Sequence, residues 1–114
     1  MNFDVLIIGG GAAGLQCALV LGSAKGKPYA SDKKIGVITH QKSSHLQNAL
    51  FNNVLGLSPE TTGASILTEG KKHLANIYPH VFQIENEKVV STSRLQNGYE
   101  ITTNHIGCRM LLVY

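Results

Sequence analysis

The chain has 114 residues, with no tryptophan, two cysteines, three prolines and only 6% aromatic residues, and each scarcity excludes something. Cys17 and Cys108 lie far apart and form neither a C-x-x-C pair nor a disulfide framework, so a reducing compartment such as the cytoplasm suits them. Long apolar runs are absent as well. Residues 3–8 are mostly apolar, but Asp4 interrupts them, no basic segment precedes them and glycines end them, which argues against a secretory leader. Nothing approaches the roughly 18 apolar residues of a spanning helix. Charge is sparse too: 15% of residues are charged and the net charge is +3. The lysines are spread over loops (Lys25, Lys27, Lys33, Lys34, Lys42) and one predicted helix (Lys71, Lys72) without a dense basic run, so nucleic acid is not an expected partner. The five histidines, His40, His45, His73, His80 and His105, show no H-x-x-H or Cys/His pairing, and no metal site is expected. Ser43 and Ser44 lack the G-x-S-x-G elbow of a hydrolase.

Present instead are a 43% hydrophobic fraction and 12 glycines, the composition of one globular domain over residues 1–114 with many turns. Residues 4–8 (DVLII) are a continuous run of the kind buried on both faces of a parallel sheet. From Ala12 the period changes to helical, with Ala13, Leu15, Cys17, Ala18, Leu19, Leu21 and Gly22 expected on a sheet-facing helix that stops near Lys25 and Gly26. Cys17 reads there as a small buried hydrophobe, and Cys108, beside Arg109, as a core or surface residue. A polar loop with Pro28 leads to a second buried strand at residues 35–39, and residues 46–51 hold a short helical turn. Ser58 and Pro59 read as the cap and first position of a second helix that runs to Tyr78 with Ile66, Leu67, Gly70, Leu74 and Ile77 on one face. Pro79 ends it. A third strand is expected at 81–85, an antiparallel pair at 88–95 and 99–103 around a type I′ turn on Asn97-Gly98, and a buried strand at 110–114, where the half-sheet looks incomplete at its C-terminal end.

The most informative segment is Gly9, Gly10, Gly11, Ala12, Ala13 and Gly14, which fits G-x-G-x-x-G between a strand and a helix. Gly9 permits the tight turn, Gly11 leaves room for a diphosphate, and Gly14 lets helix and strand pack closely. Free amides and the positive end of the helix favour the anion. This is the Rossmann arrangement for FAD or NAD(P); no G-K-[ST] comes after it, which disfavours a P-loop, and a glycine-rich turn without ligand is the alternative. An acid normally ends the second strand to accept hydrogen bonds from the adenosine ribose. Here Asp32 precedes that strand, and Thr39 and His40 stand at its end, with Gln41 and Lys42 next. Thr39, His40 and Gln41 are therefore the candidates for ribose, phosphate or adenine.

The motif of residues 4–15, with Leu46-Gln47-Asn48 and Asn53-Val54-Leu55-Gly56-Leu57, resembles the amino-terminal FAD-binding portion of the thioredoxin-reductase-like pyridine nucleotide-disulfide oxidoreductases over nearly the whole chain. The resemblance implies a three-layer ββα domain: a parallel sheet, helices on one side and a small antiparallel hairpin on the other. It also implies FAD across the glycine loop and the end of the second strand, with Asn48 among the cofactor-binding residues and backbone near Val89 at the adenine. The Ala-Thr-Gly motif near the flavin, the NADPH domain and its C-x-x-C pair are not in this chain. Three readings are open: part of an enzyme passing hydride from NAD(P)H through FAD to an acceptor, a non-catalytic dinucleotide-binding module, or a half-domain that associates as a homo-oligomer. No catalytic acid, base or nucleophile is assigned.

Overall fold

The computed structural model describes residues 1–40, 45–105 and 107–110. In chain order the elements are β1 (Asn2–Phe3), β2 (Val5–Ile8), α1 (Ala12–Ser23), β3 (Ile35–Ile38), β4 (Leu50–Phe51), β5 (Thr61–Thr62), α2 (Gly63–Ile77), β6 (Phe82–Ile84), β7 (Val89–Leu95), β8 (Gly98–Thr103) and β9 (Gly107–Met110), with 3-10 turns at Ala24–Gly26 and His45–Asn48. The three apolar runs form a parallel sheet in the order β2-β3-β6, with Val5 opposite Ile35 and Gly36 opposite Phe82. Because successive strand residues point to opposite faces, each run supplies two cores. Val5, Ile7, Ile35 and Val37 pack with Leu15 and Ala18 of α1 and Leu67 and Leu74 of α2. Leu6, Ile38 and Ile84 turn the other way, against Phe3 and Ile101 of a second sheet in the order β1-β9-β8-β7. The result is the expected α/β layering of helices, parallel sheet and antiparallel hairpin. Val37 and Leu74 are fully buried, each contributing roughly 1.5–3 kcal/mol by leaving water.

Several local expectations are revised. Cys17 is exposed, because the buried stripe of α1 is Leu15, Ala18 and Gly22, and two residues on from Leu15 points nearly the opposite way. The second helix starts at Gly63, capped by Thr62, whose hydroxyl accepts from the Ser65 N–H at 3.1 Å. Ser58 instead closes a turn through its carbonyl, which accepts from the Thr61 hydroxyl at 2.6 Å, and Glu60 takes a φ of +64° that no helix allows. Ile77 is 60% exposed rather than on the buried face. The hairpin turn falls on Gln96 and Asn97, with Leu95 paired to Gly98, and neither turn residue has the positive φ of a type I′ turn. Of the strand expected at 110–114 only Met110 is described. It belongs to β9, antiparallel to β8 and parallel to β1, not to the β2-β3-β6 sheet. No helix among the described residues is long and apolar enough to cross a membrane.

Candidate dinucleotide-binding site

The site is built at the carboxyl ends of the parallel strands. Where β2 stops, Gly9 adopts a φ of +111°, which only glycine takes without strain, and its N–H donates to the Ile38 carbonyl at 2.9 Å. That bond ties the loop to the end of β3. Gly11 then caps α1 with no side-chain hydrogen bond of its own, and its carbonyl accepts from the Leu15 N–H at 3.0 Å. The first-turn amides of Ala12, Ala13 and Gly14 have no intrahelical partner, and among the described residues no hydrogen bond from another element reaches the amides of residues 10–14. Ile8, Gly9, Ala12 and Ala13 are exposed.

Two of the glycines answer to identifiable neighbours. A Cβ on Gly14 would collide with the Gly9 carbonyl oxygen, so helix and turn touch backbone to backbone. A Cβ on Gly10 would collide with Cγ2 of Thr39. Thr39 is itself only 3% exposed; its N–H donates to the Ile84 carbonyl at 2.8 Å and its hydroxyl points to the same oxygen at 3.5 Å. The Thr39 side chain is thus a bracket inside the site, wedged between the glycine loop and β6. His40, the next residue, is exposed.

The loop and Thr39 therefore come together, and His40 stands next at the rim. Gln41 lies outside the described residues. Asn48 is exposed at the end of a 3-10 turn that is anchored on α2 through the Gly63 N–H, which donates to the Ala49 carbonyl at 2.8 Å. Val89 opens β7 with its side chain against the second core, two residues after Glu87. Asp32 precedes β3, at the opposite end of the sheet from the loop, as its sequence position implies.

Sequence reasoning missed Glu87. Its N–H donates to the Thr39 carbonyl at 3.1 Å, and its carboxylate, 6% exposed, meets His105 twice: Oε2 accepts the His105 N–H at 3.2 Å and Oε1 lies 3.0 Å from Nδ1. One buried acid thereby joins the ends of β3, β6 and β8. Within Asn86-Glu87-Lys88 nothing distinguishes it from a solvated turn residue, and the only sequence signal was its place shortly after a strand. At the amino-terminal end of the sheet a cavity of about 510 Å³ is lined by Val5, Cys17, Leu21, Tyr29, Lys33 and Ile35, remote from the glycine loop.

No family model matches the chain, and no curated protein matches it in sequence. Solved structures do. A thioredoxin reductase from T. acidophilum superposes with a TM-score of 0.73 at 26% identity over 96% of this chain and 33% of its own. An oxidoreductase from Agrobacterium tumefaciens gives 0.76 at 22% identity over 96% and 34%, and the Lactococcus lactis thioredoxin reductase 0.76 at 19% over 96% and 33%. The chain spans about a third of the length of these structures. In fold it resembles one portion of a thioredoxin reductase, with the glycine loop at the head of its first long helix.

Proposed function

We propose that this chain holds the diphosphate of a dinucleotide as the cofactor-binding portion of a thioredoxin-reductase-like, flavin-dependent oxidoreductase of the cytoplasm. One observation carries the reading: the first-turn amides of residues 12–14 have no intrahelical partner, and the three residues before them, Gly9, Gly10 and Gly11, bring no side chain of their own. A diphosphate needs such amides at a helix amino terminus. The likeness to thioredoxin reductases supports FAD as the dinucleotide. Bound FAD would supply the redox chemistry, accepting hydride from NAD(P)H, while this chain's residues bind and orient it. The bond from Gly9 to the end of β3 and the packing of Thr39 against Gly10 hold the loop in shape for that task.

A second reading, a module that holds a dinucleotide such as NAD(P) without turnover, is favoured by one feature: β3 ends in Thr39 and His40 rather than in the acid that accepts from a ribose diol. Calorimetric titration with ADP, FAD and NAD(P)+ tests both. Heat with FAD and a yellow protein supports the first reading, heat with NAD(P)+ alone supports the second, and no heat with any of them removes both.

A further inference from the structure

A dinucleotide makes a different demand at each end of its site. The diphosphate needs donors, which the glycine loop has; the adenosine ribose of FAD or NAD presents two hydroxyls that need an acceptor, commonly a carboxylate at the end of the second parallel strand. Here the second parallel strand, β3, ends in Thr39 and His40, and the Thr39 hydroxyl is turned inward to the Ile84 carbonyl. The third parallel strand brings a carboxylate to the same place. β6 lies parallel to β3 with Ile84 opposite Ile38, and the Thr39 N–H donates to the Ile84 carbonyl at 2.8 Å, so Glu85 stands alongside Thr39. Alternation along the strands sets the face. Val37 packs among the helices, and Thr39, two residues on, points to the same side. Gln83 donates its side-chain N–H to the Lys71 carbonyl of α2 at 3.1 Å, and Glu85, two residues on, comes within 4.0 Å of the Lys71 ammonium. A Cβ on Gly10 would run into Cγ2 of Thr39. Gly10, Thr39 and Glu85 therefore form a row across three neighbouring strand ends, with two strand spacings of about 4.8 Å between the glycine loop and the strand that carries the carboxylate.

The remaining acids are engaged or placed elsewhere. Asp4 and Asp32 lie at the opposite end of the sheet, Glu60 in the turn before β5, Glu69 on α2 and Glu100 in β8, while Glu87 is buried against His105. Glu85 is exposed, and its contact with Lys71 joins side chains that are 53% and 40% exposed, a surface pair that a ligand displaces at little cost. We propose that Glu85 accepts the hydroxyls of the adenosine ribose, the acceptor having moved from the end of β3 to the end of the neighbouring strand β6. The proposal rests on the dinucleotide reading of the glycine loop and deepens it. A carboxylate at this point favours an unmodified ribose, as in FAD, and repels one that carries a 2′-phosphate. Glu85 is thereby the specificity-determining residue of the adenosine end.

The test is calorimetric titration of the 114-residue chain with ADP and with 2′,3′-dideoxy-ADP, which has the same base and diphosphate but no diol. It is repeated on Glu85→Ala and Lys71→Ala after circular dichroism has established that both keep the parent fold. The parent is expected to bind ADP about tenfold more tightly than the dideoxy compound, the size of one hydrogen bond to a charged group. Glu85→Ala brings the two ligands to equal affinity and weakens FAD by the same factor. Lys71→Ala, which removes the surface partner of the carboxylate, keeps the preference. Equal binding of the two ligands by the parent, or a preference that survives in folded Glu85→Ala or is lost in Lys71→Ala, overturns the proposal but leaves the diphosphate reading intact. A uniform loss for both ligands in Glu85→Ala, the mark of a purely structural role, overturns it also. Absence of binding by ADP, dideoxy-ADP and FAD overturns both.

Discussion

The two ends of the parallel sheet are joined in different ways. At the amino-terminal end side chains do the joining: the Asp4 carboxylate accepts the Lys34 N–H at 2.7 Å, and the Lys34 ammonium lies 5.1 Å from the Phe3 ring centre and 4.9 Å from that of Phe82. At the carboxyl-terminal end the contacts around the glycine loop run backbone to backbone, from Gly9 to Ile38, Thr39 to Ile84 and Glu87 to Thr39, while the buried Thr39 and Glu87 side chains brace the strand ends from within. The difference teaches where binding capacity resides. A side chain that fills space also satisfies the backbone or shields it, so an anion-binding end must leave its amides bare and draw its rigidity from strand ends and glycine contacts.

Substitutions at the two ends are expected to separate stability from binding, and their effects should descend in a set order. Gly14→Val is the most damaging, because its side chain runs into the Gly9 carbonyl, a backbone atom that cannot step aside without unmaking the turn. It should cost about 3 kcal/mol or more in urea unfolding and abolish nucleotide binding in calorimetry. Gly10→Ala comes next at about 1–3 kcal/mol, since it meets the Thr39 side chain. Thr39→Ser, which removes Cγ2, should recover part of that loss in the double variant; strict additivity in thermal melts would contradict the contact.

Glu87→Ala, which strips the acceptor from the His105 N–H, should cost about 1–3 kcal/mol and loosen amide-exchange protection at Thr39 and His105 together. Protection lost at only one of the two would show that Glu87 does not couple them. The smallest effect is expected from Lys34→Ala at the other end of the sheet. Its exposed cation sits over two rings, worth about 0.5–1 kcal/mol, and nucleotide affinity should not move. A change in affinity on Lys34→Ala would erase the distinction between the two ends.

Much of this arrangement was legible in the sequence, for a specific reason at each place. The strand at residues 4–8 and the one at 35–39 are apolar on both faces because both faces are covered, and the structure divides them residue by residue between two cores. The glycine loop was legible because Gly9, Gly10 and Gly14 each answer a local steric demand. Less was legible wherever two signals of similar strength lay close together. Ser58-Pro59 and Thr62 are both reasonable helix starts, and the pairing of β4 with β5, Leu50 opposite Thr62, decides for the later one. Cys17 sits in a helix that is apolar nearly all round, so its period did not say which face is covered. The hairpin register moved the turn one residue ahead of Asn97-Gly98, a choice made by strand pairing over seven residues of β7 rather than by the turn dipeptide.

By itself the sequence determined the order of the three parallel strands, the two helices and the hairpin, the helix that begins at a bare glycine turn, and the lack of any acid between Lys33 and Pro59, since propensity, period and composition are properties of neighbouring residues. Only the tertiary structure decided that Thr39 turns inward against Gly10 and that Glu87 is buried beneath His105. Those facts join residues tens of positions apart, and such proximity exists only after the two cores have closed on either side of the same sheet.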